Sequence, residues 1–282
     1  FWSFIWYNPS IKPVPIEKQE KRHYFADHDV AYWRSSWNDD ATAFAFKAGP
    51  PEGHGATEKI SLFPEWRLSS GHAHPDSGSF IIWANGKYLT GDSGYAGVPM
   101  TEHHNAVVFD GKGQHKEGSG HDVFVGVPYE RMNKIRLVSV KLDEKSANIV
   151  ADLAPAYEPE LGVKKFTRSF VFAAPGSFTV SDSIETDKPQ TITAYLHSDQ
   201  TIQKVADRSF VFEPGGTQLK VDIVKPESLD ARSEVNILTA PGKPGSVDKG
   251  EREERGVRLA VSTKQKVNKL DLVVKMTVEK QK

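Results

Sequence analysis

Hydrophobic and polar residues alternate along most of the chain, and this period of two predicts β-strands. Val30–Ser35 and Thr42–Lys47 are the first clear pair. Ser79–Trp83 and Tyr88–Thr90 flank Asn85-Gly86, a pair that favours a type I′ hairpin turn because both central residues need a positive φ. Further segments with this pattern are Asn105–Phe109, Lys134–Leu142, Ala147–Asp152, Phe166–Phe172, Ser177–Glu185, Thr191–His197, Phe210–Phe212, Gln218–Val224, Val257–Ser262 and Leu270–Val278.

Strands in this number, with little helical periodicity between them, favour stacked antiparallel sheets over alternating strands and helices. The sequence therefore predicts an all-β fold, a large antiparallel multi-sheet β-sandwich spanning residues 21–282. Residues 1–20 are expected to be the end of a preceding element and a linker. A boundary near Val163 is the alternative to one continuous sandwich. The interval from Thr239 to Glu254 is rich in Gly, Pro and charge, which predicts an exposed loop.

Composition narrows the chemistry that the chain can support. Its 282 residues carry a formal net charge of −1 and include no cysteine, so thiolate metal sites and cysteine nucleophiles are excluded. Any bound metal must be held by His and carboxylate side chains. There is no basic surplus of the kind that nucleic-acid binders carry, although a local basic cleft for a polyanion fits within a neutral average. No apolar run approaches the roughly 20 residues that span a bilayer.

Histidines are concentrated in one interval, because six of the ten lie within residues 54–115. His72 and His74 are two positions apart, which on a strand places both imidazoles on one face. Asp92 follows the predicted hairpin and His104 follows Asp92. Two imidazoles and one carboxylate form a normal zinc donor set. A polar cluster of loop histidines explains the same spacing, so the spacing alone leaves both hypotheses open.

A common site also requires a particular path of the backbone. The hairpin register places Asp92 across from about Ser79, and therefore not beside His74. The chain must bend between Pro75 and Gly78 for His74 and Asp92 to meet, and both of those residue types favour a bend.

The chain resembles the C-terminal part of heparinase II/III-like polysaccharide lyases in an ordered series of motifs. The series is Gly71-His72-Ala73-His74-Pro75-Asp76-Ser77-Gly78-Ser79-Phe80, Asn85-Gly86, Gly91-Asp92-Ser93-Gly94, His104-Asn105-Ala106-Val107-Val108 and Asp110-Gly111-Lys112-Gly113-Gln114. The resemblance is strong from Tyr24 to Gln114 and looser afterwards. It implies a carbon–oxygen lyase that cleaves a uronate-containing polysaccharide, a glycosaminoglycan or alginate, by β-elimination. It also implies a periplasmic or secreted bacterial protein.

The resemblance implies a role for individual residues by motif position. His72 would be the catalytic histidine of the cleft. The ligands of a structural zinc ion would be His74, Asp92 and His104. His103 is the natural rival of His104, and the His-Asn pair favours His104. Apart from these motif roles, Tyr95 follows Asp92 and could reach the substrate, although a buried or rim tyrosine explains it equally well. Asn105, beside His104, is the second candidate substrate contact.

Members of this family combine an N-terminal α/α toroid with the β-sandwich, and residues 1–20 would then be the tail of that helical domain. The toroid supplies a catalytic Tyr and a further His or Asn, so the implied partners are the toroid and an acidic polysaccharide or oligosaccharide. One alternative function is a uronate C5 epimerase on the same scaffold. A second is a non-catalytic carbohydrate-binding β-sandwich, which depends mainly on exposed aromatic residues.

Four further residues have both a structural and a functional interpretation. Trp66 and Trp83 could stack on sugars, and packing explains Trp83 at least as well. Arg34 could meet a uronate carboxylate, but a structural pairing is favoured. His197 could face the cleft, but a hydrogen-bonded histidine of the sandwich is the expected role.

Overall fold

The computed structural model describes residues 8–60, 62–63, 72–92, 94, 98–119, 122–239 and 252–280. These residues form seventeen strands, and every strand pairing is antiparallel. The predicted all-β, multi-sheet fold is therefore confirmed. None of the helices within the described ranges has the length and apolar content that crossing a membrane requires.

The strands of the first half are β1 Arg22–Phe25, β2 Val30–Arg34, β3 Thr42–Lys47, β4 Phe80–Ala84, β5 Lys87–Tyr88, β6 Val107–Phe109, β7 Arg136–Leu142 and β8 Ser146–Asp152. Those of the second half are β9 Val163–Ala173, β10 Ser177–Gln190, β11 Ile192–Ser198, β12 Ile202–Ala206, β13 Ser209–Phe212, β14 Thr217–Lys225, β15 Leu229–Thr239, β16 Arg252–Thr263 and β17 Val267–Lys280. The α-helices are α1 His54–Ile60 and α2 Tyr129–Met132.

The strands form three sheets. A five-stranded sheet has the order β1-β2-β3-β4-β5, and an eight-stranded sheet has the order β12-β13-β14-β17-β10-β9-β8-β7. A four-stranded sheet has the order β15-β16-β11-β6. Val163 begins β9, which pairs with β8 on one side and β10 on the other, so the eight-stranded sheet continues across that position.

Both smaller sheets pack on the same face of the eight-stranded sheet. The rings of Phe44 on β3 and Phe170 on β9 are 5.0 Å apart, and those of Phe109 on β6 and Phe166 on β9 are 6.3 Å apart. Phe166 and Phe170 are four positions apart on one strand and therefore point to the same face. The five-stranded and four-stranded sheets thus lie side by side, and we call the line where they meet the seam.

A buried ion pair lies beneath the seam. The Arg168 guanidinium donates from Nε and Nη2 to the two carboxylate oxygens of Asp182, each at 2.7 Å. Its Nη1 donates to the carbonyl oxygens of Gly78 and Asn105 at 2.8 and 2.7 Å. Arg168 and Asp182 are each only 3% exposed. The pair therefore ties the start of β4 and the segment before β6 to the eight-stranded sheet.

Turn chemistry agrees with the sequence at the β4–β5 hairpin. Asn85 and Gly86 have φ angles of 50° and 81°, as a type I′ turn requires.

Three strands, β1, β12 and β15, were not predicted. β1 buries none of its residues and β12 buries only Ile202, so neither carries a strong hydrophobic alternation.

The prediction of a loop between Thr239 and Glu254 is wrong at the C-terminal end of that interval. Strand β16 already begins at Arg252 and pairs with the end of β15, where Thr239 lies opposite Arg252. Charged residues in this pair of strands conceal the strand pattern, because backbone pairing does not require apolar side chains.

Candidate functional site

The connection from β3 to β4 carries His72 and His74, and its C-terminal base is well fixed. The Asp76 carboxylate lies 2.5 Å from the Lys47 ammonium, and the Gly78 amide donates to the Lys47 carbonyl oxygen at 2.7 Å. The Ser79 amide donates to the Asp76 carbonyl oxygen at 2.9 Å, and Gly78 has a φ of 88°. A turn with a positive φ at its third position favours glycine. The structure therefore contains the bend that a common site requires.

His74, Asp92 and His104 come together at the seam. His104 Nδ1 and Asp92 Oδ2 are 2.6 Å apart, and the His74 and His104 ring centroids are 5.2 Å apart. The other Asp92 oxygen accepts a hydrogen bond from the Gly94 amide at 2.8 Å. His104 is buried, whereas His74 and Asp92 are half-buried.

The donor types in this cluster suit zinc, but their present arrangement is not a closed metal cage. The Nε2 atom of His104 is buried and has no hydrogen-bond partner, which fits an atom that would ligate a metal. In the described ranges, however, no group of three His, Asp or Glu side chains is placed so that it could hold an ion. The hydrogen bond between Asp92 Oδ2 and His104 Nδ1 occupies a carboxylate oxygen that a metal would take. The zinc assignment stays a prediction.

Burial and hydrogen bonding together set the protonation states of His74, His103 and Asp92. Burial lowers the pKa of His74, with the neighbouring His104 acting in the same direction, and lowers the pKa of His103 to about 3. Burial alone would raise the pKa of Asp92, but the hydrogen bond and the electrostatic interaction with His104 outweigh it, and the pKa is lowered. His74 is therefore a neutral imidazole and Asp92 a carboxylate at neutral pH, which are the forms that ligate metals.

His103, the rival ligand, occupies a different position from His104. It ends a short 3-10 helix at residues 101–103 and accepts a hydrogen bond through Nδ1 from the Met100 amide at 3.3 Å. His104, and not His103, contacts Asp92. The geometry is thus consistent with the choice of His104 on sequence grounds.

His72 is exposed, two residues before half-buried His74. A histidine on the surface beside a fixed polar cluster can reach a bound polymer. Tyr95 and Trp66, two of the candidate substrate contacts, lie outside the described residues.

Asn105 is buried rather than open to substrate, being 1% exposed. Its Nδ2 donates to the carbonyl oxygens of Phe80 at 2.7 Å and Gly91 at 3.2 Å, and its Oδ1 accepts from the His197 amide at 2.7 Å. Phe80 belongs to β4 and His197 to β11. The amide side chain therefore joins the two smaller sheets, and its hydrogen-bonding capacity is used there instead of facing a ligand.

His197 differs from its expected role as a hydrogen-bonded histidine. It is 2% exposed, burial lowers its pKa to about 3, and neither ring nitrogen has a hydrogen-bond partner. It lies on β11 next to the seam. Its position among apolar residues of a strand gives no sequence signal that distinguishes it from a core histidine.

The two remaining candidates lie on the outer face of the five-stranded sheet. The Arg34 guanidinium stacks on the Trp37 ring at 4.1 Å and donates to the Ser36 carbonyl oxygen, which agrees with the favoured structural role. Trp83 is half-buried and lines a surface groove of about 320 Å³ together with Tyr32 and Tyr88.

Comparison with known proteins identifies the family to which the sequence of this chain is similar. The sequence matches the family model described as Heparinase II/III-like, C-terminal, over residues 18–280. It is 27% identical over 211 residues to a heparin-sulfate lyase from Bacteroides stercoris, a match that covers 72% of this chain and 27% of that protein.

Solved structures of similar fold cover almost the whole chain. A heparinase III aligns with a TM-score of 0.67 at 19% identity, covering 93% of this chain and 36% of that one. The heparan sulfate lyase HepC of Pedobacter heparinus aligns with a TM-score of 0.66 at 17% identity, covering 93% and 37%. The chain thus spans little more than a third of their length, and these likenesses show the fold alone. Because the family model matches nearly all of it, the chain belongs to the heparinase II/III-like C-terminal family.

Proposed function

We propose that this chain is the β-sandwich part of a carbon–oxygen lyase that cleaves uronate-containing polysaccharide by β-elimination. One observation carries the proposal beyond family membership. Exposed His72 lies two residues before a polar cluster whose members come from three separate segments and meet at the seam. A catalytic group needs such support, because reaction rates depend on its position to within about an ångström.

The chemistry of elimination defines what His72 must do. The C5–H bond of the uronate breaks, its electron pair forms the C4–C5 double bond, and the C4–O bond breaks. The departing oxygen takes a proton. Because the C5 proton is weakly acidic, the adjacent carboxylate must be neutralised while a base removes that proton. A neutral imidazole at His72 can act as the base or as the hydrogen-bond partner of the carboxylate.

The zinc ion belongs to the same proposal. His74, Asp92 and His104 would hold it, and it would supply a rigid cross-link between the loop carrying His72 and the seam. The hydrogen bond between His104 and Asp92 already restrains that region. The residues themselves do the positioning, and the elimination needs no metal-bound water.

The family resemblance motivates the proposed substrate, partner and location. A glycosaminoglycan of the heparan sulfate type is the preferred substrate, because the relatives are named for acting on heparin and heparan sulfate; alginate is the alternative. An α/α toroid would complete the cleft and supply the groups that this sandwich lacks. The protein would act in the periplasm or outside the cell.

Ultraviolet absorbance of the new C4–C5 double bond tests the proposal. The chain joined to its toroid is mixed with heparan sulfate, and His72→Ala is compared with His23→Ala, a half-exposed histidine on β1. We expect the parent and His23→Ala to form product at similar rates. The rate of His72→Ala should be lower by about 100-fold or more. Exchange of the C5 proton with solvent deuterium, without absorbance, would instead indicate the epimerase. Saccharide binding without either signal, and unaffected by His72→Ala, would indicate a binding module.

A further inference from the structure

Gln114 ends the motif Asp110–Gln114, and the elimination chemistry proposed for His72 does not use it. The residue is fully buried, with 0% of its surface exposed. Its carboxamide binds both backbone groups of Ser77, because Oε1 accepts from the Ser77 amide at 2.9 Å and Nε2 donates to the Ser77 carbonyl oxygen at 2.8 Å. Ser77 is also buried and lies three residues after His74. Gln114 therefore fixes the C-terminal end of residues 72–77, which we call the histidine loop.

The backbone of Gln114 is tied to the other segment of the site. Its amide donates to Thr101 Oγ1 at 2.7 Å, and Thr101 begins the 3-10 helix that directly precedes His104. The Glu117 carboxylate accepts hydrogen bonds from the amides of Thr101 and Gly113 and so closes the same junction. A Cβ on Gly113 would lie 2.2 Å from Thr101 Oγ1, so glycine is needed for this close approach. Gln114 thus joins the histidine loop to the segment that carries His104.

Ala73 gives the histidine loop a second anchor. A small apolar cluster, separate from the main core, consists of Val123, Phe124, Val127 and Met132. Ala73, which stands between His72 and His74 in the sequence, is partly buried and packs against this cluster. The loop is thus held at Ala73 by apolar contact and at Ser77 by Gln114. His72 directly precedes this doubly anchored segment, so a shift of either anchor moves its imidazole.

We propose that Gln114 is a positioning residue for the elimination reaction, one that places His72 against the uronate by fixing the histidine loop; this proposal rests on the lyase function. Gln114 is buried and acts through Ser77, without touching the substrate. Loss of its carboxamide leaves the buried amide and carbonyl groups of Ser77 unpaired, which favours a loop shifted toward water. A displacement of about an ångström at a catalytic group lowers the rate on the order of 100-fold. Polymer binding elsewhere in the cleft does not depend on this displacement, so kcat falls and KM does not change.

Three variants separate the hydrogen bonds of Gln114 from its volume. Gln114→Leu keeps much of the side-chain volume and removes both bonds to Ser77. In Gln114→Glu the protonated acid donates and accepts as the amide does, whereas the carboxylate only accepts. Burial raises the pKa of a carboxyl group, so protonation restores the donor as the pH falls. Gln190→Leu is the matched control, because Gln190 is 1% exposed and donates to the Leu161 carbonyl oxygen at 2.6 Å, outside the histidine loop.

Initial rates of double-bond formation from heparan sulfate, measured on the chain joined to its toroid, test this role. We expect the kcat of Gln114→Leu to be lower by about tenfold or more, with KM within about twofold of the parent. Gln190→Leu should keep the kcat of the parent. The kcat of Gln114→Glu, divided by that of the parent at the same pH, should rise toward that of the parent as the pH falls from about 8 to about 5.5. A side chain that only stabilised the fold would leave this ratio independent of pH at a temperature where every variant is folded.

The contrary outcomes are distinct. The positioning role is overturned if Gln114→Leu keeps the kcat of the parent, if Gln190→Leu loses as much, or if the whole loss is in KM. Gln114→Glu carries the test if Gln114→Leu does not fold, and a ratio that does not change with pH then overturns the role. A parent that forms no unsaturated product overturns the lyase function itself. An active parent with unaffected Gln114 variants overturns the positioning role alone, so the two failures are distinguishable.

Discussion

Replacing Arg168 with Met tests the idea that the seam is held from below. Met keeps much of the volume but removes the charge and all four hydrogen bonds that the guanidinium makes to Asp182 and to the carbonyl oxygens of Gly78 and Asn105. Gly78 follows the loop that carries His74, and Asn105 follows His104. The substitution therefore removes a side chain that binds both segments of the site.

The expected loss of stability is large because the partners stay buried. Asp182, 3% exposed, would be left as an uncompensated buried carboxylate, and breaking such a pair costs about 3–5 kcal/mol. The two carbonyl oxygens that lose a donor add to that cost. At roughly 2–4 °C per kcal/mol for a domain of this size, the Tm should fall by about 10 °C. Urea unfolding gives the free energy, and differential scanning calorimetry gives the Tm.

Two further variants serve as controls for the stability loss of Arg168→Met. Arg168→Met with Asp182→Leu removes both charges and should recover much of the loss, because no buried charge is left unpaired. Arg131→Met breaks the pair with Glu158, which is partly exposed, and should cost no more than about 1 kcal/mol. If Arg168→Met costs less than about 1 kcal/mol, or if the double variant is no better than the single, the account of the seam is wrong.

Three further predictions concern stability. Asn105→Ala should lower the free energy of unfolding by about 2–4 kcal/mol in urea titration, because it leaves buried partners on both smaller sheets unpaired; a cost below about 0.5 kcal/mol would contradict this. Lowering the pH from 7.5 to 5.5 should cost about 1.4 kcal/mol through His115, whose pKa burial lowers to about 3. The unfolded chain binds that proton near pH 6.5 and the folded chain does not, so stability falls as the pH falls, and His115→Phe should reduce the slope. Gly256→Ala should cost about 3 kcal/mol through a positive φ and a steric clash, whereas Gly111→Ala, with a φ of 75° in open space, should cost about 1 kcal/mol; equal calorimetric losses would contradict this.

Much of the fold could be predicted from local sequence because its signals are local. Asn85-Gly86 sets a hairpin turn by its own φ preferences, and β3 alternates buried and half-buried residues in step with the sequence alternation of Thr42–Lys47. Strand β12 could not be found in this way, since four of its five residues are exposed. Its place is set by backbone pairing with β13, which leaves no hydrophobic period.

Part of the candidate site was predictable because it also depends on local sequence signals. A bend at Gly78 was expected from residue types, and it is present, so His74, Asp92 and His104 lie together. The role of Asn105 was not predictable, because its partners come from two different sheets, and only the tertiary fold brings them within reach. The unpartnered ring of His197 is likewise a property of packing, which no spacing in the sequence encodes.

Zinc content of the purified 282-residue chain tests most directly the claim that the residues at the seam form one site. Elemental analysis of the parent is compared with His74→Ala, Asp92→Ala and His104→Ala, each checked for folding by circular dichroism. The account predicts about one zinc per chain in the parent and its loss in each variant. A folded parent without zinc, or zinc retained in all three variants, would contradict it.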